Sequence, residues 1–123
     1  MLNATKAIQP DFDWERLHQL ADGDTAFEVE LLQIFLDDMD QGLAQLVNAI
    51  AHQETHTVEQ VAHSIRGAAA NLGAVSLAQT AAQLEQLGQP NQLALAEGLL
   101  GQLRSQGQVA RHHLERMKEM SAD

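Results

Sequence analysis

The chain has 123 residues, no cysteine and a formal net charge of −10, which excludes disulfide bridges and thiolate metal sites. The sequence is acidic and lacks the clusters of basic residues that binding to duplex nucleic acid requires. No apolar run reaches the roughly 20 residues of a membrane span. We therefore expect one cytoplasmic, monomeric domain with neither nucleic acid nor a membrane as a partner.

The N-terminal half of the chain predicts two helices that begin at aspartate caps. Asp13 is placed as the N-cap of a short helix over about 14–21, with Phe12 and Leu17 spaced as a hydrophobic staple. After the turn Asp22-Gly23-Asp24, apolar residues recur at helical spacing and predict a long helix to about residue 53. These residues are Phe27, Leu31, Leu32, Phe35, Met39, Leu43, Leu46 and Ile50, with Gly42 as a candidate bend.

Three further helices follow, each with its own start and stop signals. The expected caps, in chain order, are Thr55 or Thr57 for the third helix, Ser76 (with Gln79 as a capping box) for the fourth and Asn91 for the last. Gly73 suits the left-handed position that closes the third helix after Leu72, and the fourth helix is expected to end near Gly88. The last helix keeps apolar or small residues three or four apart as far as residue 117.

Short loops between helices of similar length make sequential helices antiparallel neighbours. The expected fold is all-α, an antiparallel up-down-up-down four-helix bundle with a short extra N-terminal helix. The domain is expected to cover residues 11–118, with loose segments at 1–10 and 119–123.

One face of the third helix is unusual for a solvated surface. At 100° per residue, the apolar residues Val58, Val61, Ile65, Ala69 and Leu72 form one stripe, and His63 points away from it. Glu59, Arg66, Gly67 and Ala70 fall on the side of His63. A glycine inside a helix costs roughly 0.5–1 kcal/mol relative to alanine, so Gly67 suggests that another molecule approaches His63 closely. Arg66 could meet an anion at the imidazole, which is a nucleophile when neutral.

The segment AHSIRGAAANLGA at 62–74 resembles the signature of histidine-containing phosphotransfer (HPt) domains. The matching residues are His63, Ile65, Arg66, Gly67, Ala68, Ala69 and Gly73. The segments ELLQIFLDDM at 30–39 and LEQLG at 84–88 are similar to the neighbouring helices of the family, so the resemblance covers most of residues 11–118.

The resemblance implies a carrier that moves a phosphoryl group between aspartates of response-regulator receiver domains, with the receiver of a hybrid histidine kinase as one candidate. His63 would accept the phosphoryl group through Nε2, and Arg66 stands where the family usually has lysine. Gly67 would leave room for the receiver, with Glu59, Ala70 and Asn71 around it as partner-binding residues. The chain would bind no cofactor, because the Mg²⁺ would belong to the receiver. It has no nucleotide-binding motif, so it is not expected to be a kinase.

Some assignments stay open at this stage. Glu85 is a candidate to orient the imidazole through Nδ1, with Gln79 and Gln83 as other candidates, or it is an ordinary solvated residue. Some of the apolar side chains of the second helix, Leu32, Ile34, Leu36 and Met39, could be exposed and help to dock the receiver, although core positions are favoured for most.

Two other functions compete with phosphotransfer. One is a scaffold of HPt type that binds receivers or kinases without accepting phosphate, an alternative that the arginine at position 66 keeps open. The other is a non-signalling helical bundle that dimerises or binds metal. His52 and His56 lack a third ligand, and His112 and His113 point 100° apart, so we expect no metal site.

Overall fold

The computed structural model describes residues 12–87 and 90–121, and every regular element within these ranges is helical, which confirms the all-α class. The α-helices are α1 (Trp14–Leu20), α2 (Thr25–Ala51), α3 (Thr55–Leu72), α4 (Val75–Gln86) and α5 (Ala96–Ser121). A 3-10 helix, Pro90–Leu95, precedes α5. No helix in these ranges is both long and apolar enough to cross a membrane.

Three of the predicted helix ends are confirmed. The Asp13 carboxylate accepts a hydrogen bond from the backbone N–H of Arg16 at 3.2 Å, and the Asp24 carboxylate accepts one from Phe27 at 3.1 Å. Gly73 ends α3 with φ +89°, the left-handed conformation that glycine adopts without steric cost. The first half of the bundle is therefore delimited by local signals in the sequence.

Three other predicted caps are wrong. Glu54, not Thr55 or Thr57, occupies the N-cap position of α3, and it makes no side-chain capping bond. Helix α4 begins at Val75 rather than after Ser76, because only Gly73 and Ala74 separate it from α3 and the Ala74 carbonyl already accepts from the backbone N–H of Ala78. Asn91 lies in the 3-10 helix, so the last α-helix starts at Ala96, four residues later than a cap at Asn91 would place it.

Two other boundaries also differ from the expectation. Helix α2 ends at Ala51, two residues early, and α5 continues to Ser121, past residue 118 where the domain was expected to end. The expected loose segment 1–10, the expected helix end at residue 88 and the last two residues of the expected tail lie outside the described residues.

Helices α2, α3, α4 and α5 pack in a ring, with each helix against the next and α5 closing onto α2. The core is aliphatic, and its fully buried side chains include Leu32, Leu46, Leu84, Leu103 and Leu114. Removing this apolar surface from water is the main stabilising contribution to the fold.

The helices of the ring approach closely at two glycines. A Cβ added to Gly42 on α2 would lie 3.0 Å from Ile65 Cδ1 on α3, and one added to Gly107 on α5 would overlap the end of Met39 on α2. Gly42 therefore permits close packing in the middle of a long helix. The up-down-up-down direction of the four helices stays a prediction, with which the short connections are consistent.

The short helix α1 is attached to the C-terminal end of α3. The backbone N–H of Asp13 donates to the Gly73 carbonyl at 2.6 Å, and Arg16 Nε donates to the Asn71 carbonyl at 3.1 Å. Carbonyls at a helix end have no partner within the helix, so α1 supplies a donor to the Asn71 carbonyl and a second donor to the Gly73 carbonyl, which also accepts from the backbone N–H of Val75. This contact fixes the end of the helix that carries His63.

Candidate functional site

His63 projects from the middle of α3 into solvent, with 63% of its side chain exposed. The neighbouring Ala62 and Ile65 are buried, whereas Ser64 and Gly67 are exposed. The helical periodicity therefore predicted the orientation of His63 correctly, because burial in α3 is decided by which side of one helix faces the ring.

Glu85 reaches His63 from the neighbouring helix α4. Its Oε2 lies 2.8 Å from His63 Nδ1, and its Oε1 accepts a hydrogen bond from Arg66 Nε at 2.7 Å. The Glu85 side chain is 24% exposed. Both of its oxygens are thus engaged by two residues of α3 that lie one helical turn apart.

The contact with Glu85 assigns the tautomer of His63. An ionised carboxylate can only accept hydrogen bonds, so an imidazole nitrogen 2.8 Å away must carry the proton. In neutral His63 the proton therefore sits on Nδ1 and the lone pair on Nε2. The nucleophilic nitrogen is then Nε2, the ring nitrogen that lies farther from the backbone.

The surroundings of Glu85 keep it ionised. The hydrogen bond from His63 lowers the pKa of the Glu85 carboxyl most, and the hydrogen bond and positive charge of Arg66 lower it further. Partial burial acts in the opposite direction but does not cancel these effects. Glu85 consequently remains an acceptor for Nδ1–H at neutral pH.

Arg66 is held on the Nδ1 side of the imidazole. Its Nε donates to Glu85, and its Nη2 lies 3.0 Å from His63 Nδ1. Two N–H groups meet there when Nδ1 carries its proton, so this second contact is not a satisfied hydrogen bond. Sequence reasoning placed Arg66 beside the histidine but missed its pairing with Glu85, because that contact joins two helices.

The remaining predicted site residues surround His63 on the exposed surface of α3. A Cβ added to Gly67 would have no heavy atom within 4 Å beyond its chain neighbours and the nearby backbone of α3, and Ala70 and Asn71 are also exposed. Glu59 is exposed and lies with its carboxylate 3.7 Å from His56 Nδ1. The backbone carbonyl of Asn71, but not its side chain, is engaged by Arg16.

On the α2 side, the structure separates the four apolar residues of uncertain position. Leu32, Leu36 and Met39 are buried, whereas Ile34 is 55% exposed. A shallow cleft of about 100 Å³ joins α2 to α3 beside the His63 face. Asp38 and Ser64 are two of its lining residues. They were not identified from the sequence, because the cleft forms only where the two helices pack together.

Comparison with known proteins identifies the family. The family model for the Hpt domain matches residues 30–120, which include α3, α4 and most of α2 and α5. The chain belongs to the Hpt domain family. Histidine phosphotransfer in phosphorelays is therefore its functional class, and proteins of the Hpt family are phosphocarriers rather than kinases. Hpt domains of this kind interact with response-regulator receiver domains.

A solved structure supports the same assignment for this Hpt domain. Histidine-containing phosphotransfer protein B (HptB) from Pseudomonas aeruginosa PAO1 superposes with a TM-score of 0.82 at 25% sequence identity. The match covers 90% of this chain and 96% of that chain. A comparison with curated protein sequences found no significant match to this chain.

In the part of the chain that the structure describes, the other histidines do not form a metal-binding cluster. Within the described ranges, no three His, Cys, Asp or Glu side chains are grouped as metal ligands. His18 contacts Glu28, and His113 stacks on Trp14 with ring centroids 3.9 Å apart. Gln79 and Gln83, the other candidates for orienting His63, are exposed, and Glu85 occupies that position.

Proposed function

We propose that His63 accepts a phosphoryl group on Nε2 from the aspartyl phosphate of one receiver domain and passes it to an aspartate of another. The observation that supports this proposal most is the hydrogen bond between Nδ1 and Glu85, because it leaves the lone pair on the exposed nitrogen. A receiver can then approach Nε2 without displacing any group of this chain.

For its atoms and charges to balance, the transfer step needs only His63, Glu85 and the aspartyl phosphate of the receiver. The Nε2 lone pair attacks phosphorus, the bond from phosphorus to the aspartyl oxygen breaks, and the receiver aspartate leaves as a carboxylate. The phosphorylated ring carries a positive charge with the proton still on Nδ1, and the Glu85 carboxylate next to it stabilises that charge. The reverse sequence delivers the phosphoryl group to the second receiver.

Other parts of the surface have supporting roles in this proposal. Gly67 keeps the surface one turn from His63 low, Arg66 offers a positive charge to the phosphoryl oxygens, and Ile34 adds an exposed apolar contact at the edge of α2. The Mg²⁺ ion and the acidic residues that bind it would belong to the receiver. A hybrid kinase as the receiver's source, a monomeric state and a cytoplasmic location stay predictions.

A phosphotransfer assay tests the function. The chain is mixed with a radiolabelled phosphorylated receiver, and the label on the chain is analysed for acid lability and base stability, which distinguish phosphohistidine from phosphoserine. We expect label on the wild type and none on His63→Gln, with both proteins equally helical by circular dichroism. An unlabelled wild type that still binds the receiver would favour the scaffold instead.

The role of Arg66 is tested separately. Arg66→Ala should slow the transfer more than it lowers the stability, because 41% of the Arg66 side chain is exposed and its pairing with Glu85 contributes little to the fold. Stopped-flow transfer rates and urea unfolding of the same preparations give both quantities. Equal transfer rates for the variant and the wild type would remove Arg66 from the reaction.

A further inference from the structure

Arg66 is engaged on the wrong side of the imidazole to contact a phosphoryl group on Nε2. Its Nε is bound to Glu85 Oε1 at 2.7 Å and its Nη2 lies 3.0 Å from Nδ1, which is the ring nitrogen that does not react. A guanidinium held in this way neutralises a carboxylate of its own chain. To neutralise the transferred group, it has to leave that carboxylate.

We propose that Glu85 and the phosphoryl group on His63 compete for Arg66, which exchanges one anion for the other when His63 is phosphorylated. The inference rests on the proposed function of His63 and adds a regulating role for Glu85. Through this competition, Glu85 sets how tightly the carrier holds its phosphate, and thereby how readily the phosphate moves on.

Two features of the geometry favour the exchange. The Nη2 of Arg66 faces the protonated Nδ1, so this N–H group has no acceptor there, whereas a phosphoryl group offers three acceptor oxygens and more negative charge than a carboxylate. The side chain also has space to move, because Arg66 is 41% exposed and no side chain beyond the two chain neighbours of Gly67 comes within 4 Å of the position that a Cβ of Gly67 would take.

Glu85 then has two opposite effects on phosphorylated His63. Its Oε2 stabilises the positive ring through Nδ1–H, which favours the phosphorylated state. Its Oε1 retains Arg66, which disfavours that state. A single substitution mixes the two effects, but the second one exists only while Arg66 is present, so a double-mutant cycle separates them.

The cycle measures the phosphotransfer equilibrium between a labelled receiver and wild type, Glu85→Gln, Arg66→Gln and the double variant. Competition predicts that Glu85→Gln is less harmful to phosphorylation, by roughly two- to fivefold, when Arg66 is present than when it is Gln. If the cycle shows that the two substitutions are uncoupled, the proposal is wrong. A coupling of opposite sign also overturns it, since Glu85 would then be helping Arg66 toward the phosphate.

The ion pair of Arg111 and Asp40 provides a matched control. It also joins two helices of the ring, with a distance of 2.9 Å, and it lies away from His63 between α2 and α5. The cycle of Arg111→Gln and Asp40→Asn should leave the phosphotransfer equilibrium uncoupled. Coupling of similar size there would mean that the cycle reports general loosening of the bundle, which would contradict the proposal.

A direct measurement needs no receiver. Phosphoramidate transfers its phosphoryl group to histidine and releases ammonia, and the Arg66 Nε–H resonance of ¹⁵N-labelled protein is compared before and after the reaction. We expect that resonance to shift on phosphorylation of the wild type. If His63 is phosphorylated and the resonance stays in place, the exchange is wrong while the proposed function stands; if His63 is not phosphorylated, both fail.

Discussion

Replacing Gly67 by alanine should make the protein more stable while impairing its function. Gly67 lies inside α3, and an added Cβ would meet no heavy atom within 4 Å beyond its chain neighbours and the nearby backbone of the helix. The substitution therefore creates no clash, and it removes the conformational cost of a mid-helix glycine, which is roughly 0.5–1 kcal/mol. For a domain of this size, that gain corresponds to an increase in Tm of about 2–5 °C.

The functional effect should grow with the size of the side chain at position 67. The receiver has to approach within one turn of His63, so alanine should slow phosphotransfer and leucine should abolish it. Thermal and urea unfolding followed by circular dichroism give the stability, and the labelled-receiver assay gives the rate. Helix content should be unchanged in both variants.

Gly101 on α5 is the matched control for this prediction. It is also exposed inside a helix, and an added Cβ there would also have open space around it. Gly101→Ala should stabilise by a similar amount without changing phosphotransfer. A Gly67→Ala protein that is less stable than the wild type would identify Gly67 as a packing residue, and wild-type transfer by Gly67→Leu would refute the access explanation.

Three further predictions concern stability. Gly73→Ala should cost about 2 kcal/mol or more in urea unfolding, because φ is +89° and the new Cβ would lie 2.6 Å from the Asp13 carbonyl oxygen; Gly98→Ala, in open space, should not. Leu46→Ala should cost about 2–5 kcal/mol, because Leu46 is fully buried, and a cost below about 1 kcal/mol would contradict its core position. Burial, followed by the charge of Arg116, lowers the pKa of His113 from 6.5. Because the unfolded chain then binds the proton first, stability should fall as the pH drops from about 6.5 toward the lowered pKa, and His113→Gln should flatten that slope in urea unfolding.

Much of the fold could be predicted because its signals are local. Asp13 and Asp24 cap the turn that follows them, and Gly73 ends α3 through its own backbone conformation. The errors arose where packing overrides a local preference. Ser76 has a good capping pattern, but the short connection to α3 starts α4 one residue before it.

The candidate site divides in the same way. The sequence by itself determined that His63, Arg66, Gly67 and Ala70 share an exposed face, because the period of one helix fixes which side chains lie together. Only the tertiary structure decided what those side chains contact. Glu85 is 22 residues from His63 in the chain. Whether Glu85 is a solvated residue or the partner of Nδ1 depends on how α4 packs against α3. The pairing of Arg66 with Glu85 has the same origin, since a contact between two helices depends on their relative rotation and register, which no single-helix pattern encodes.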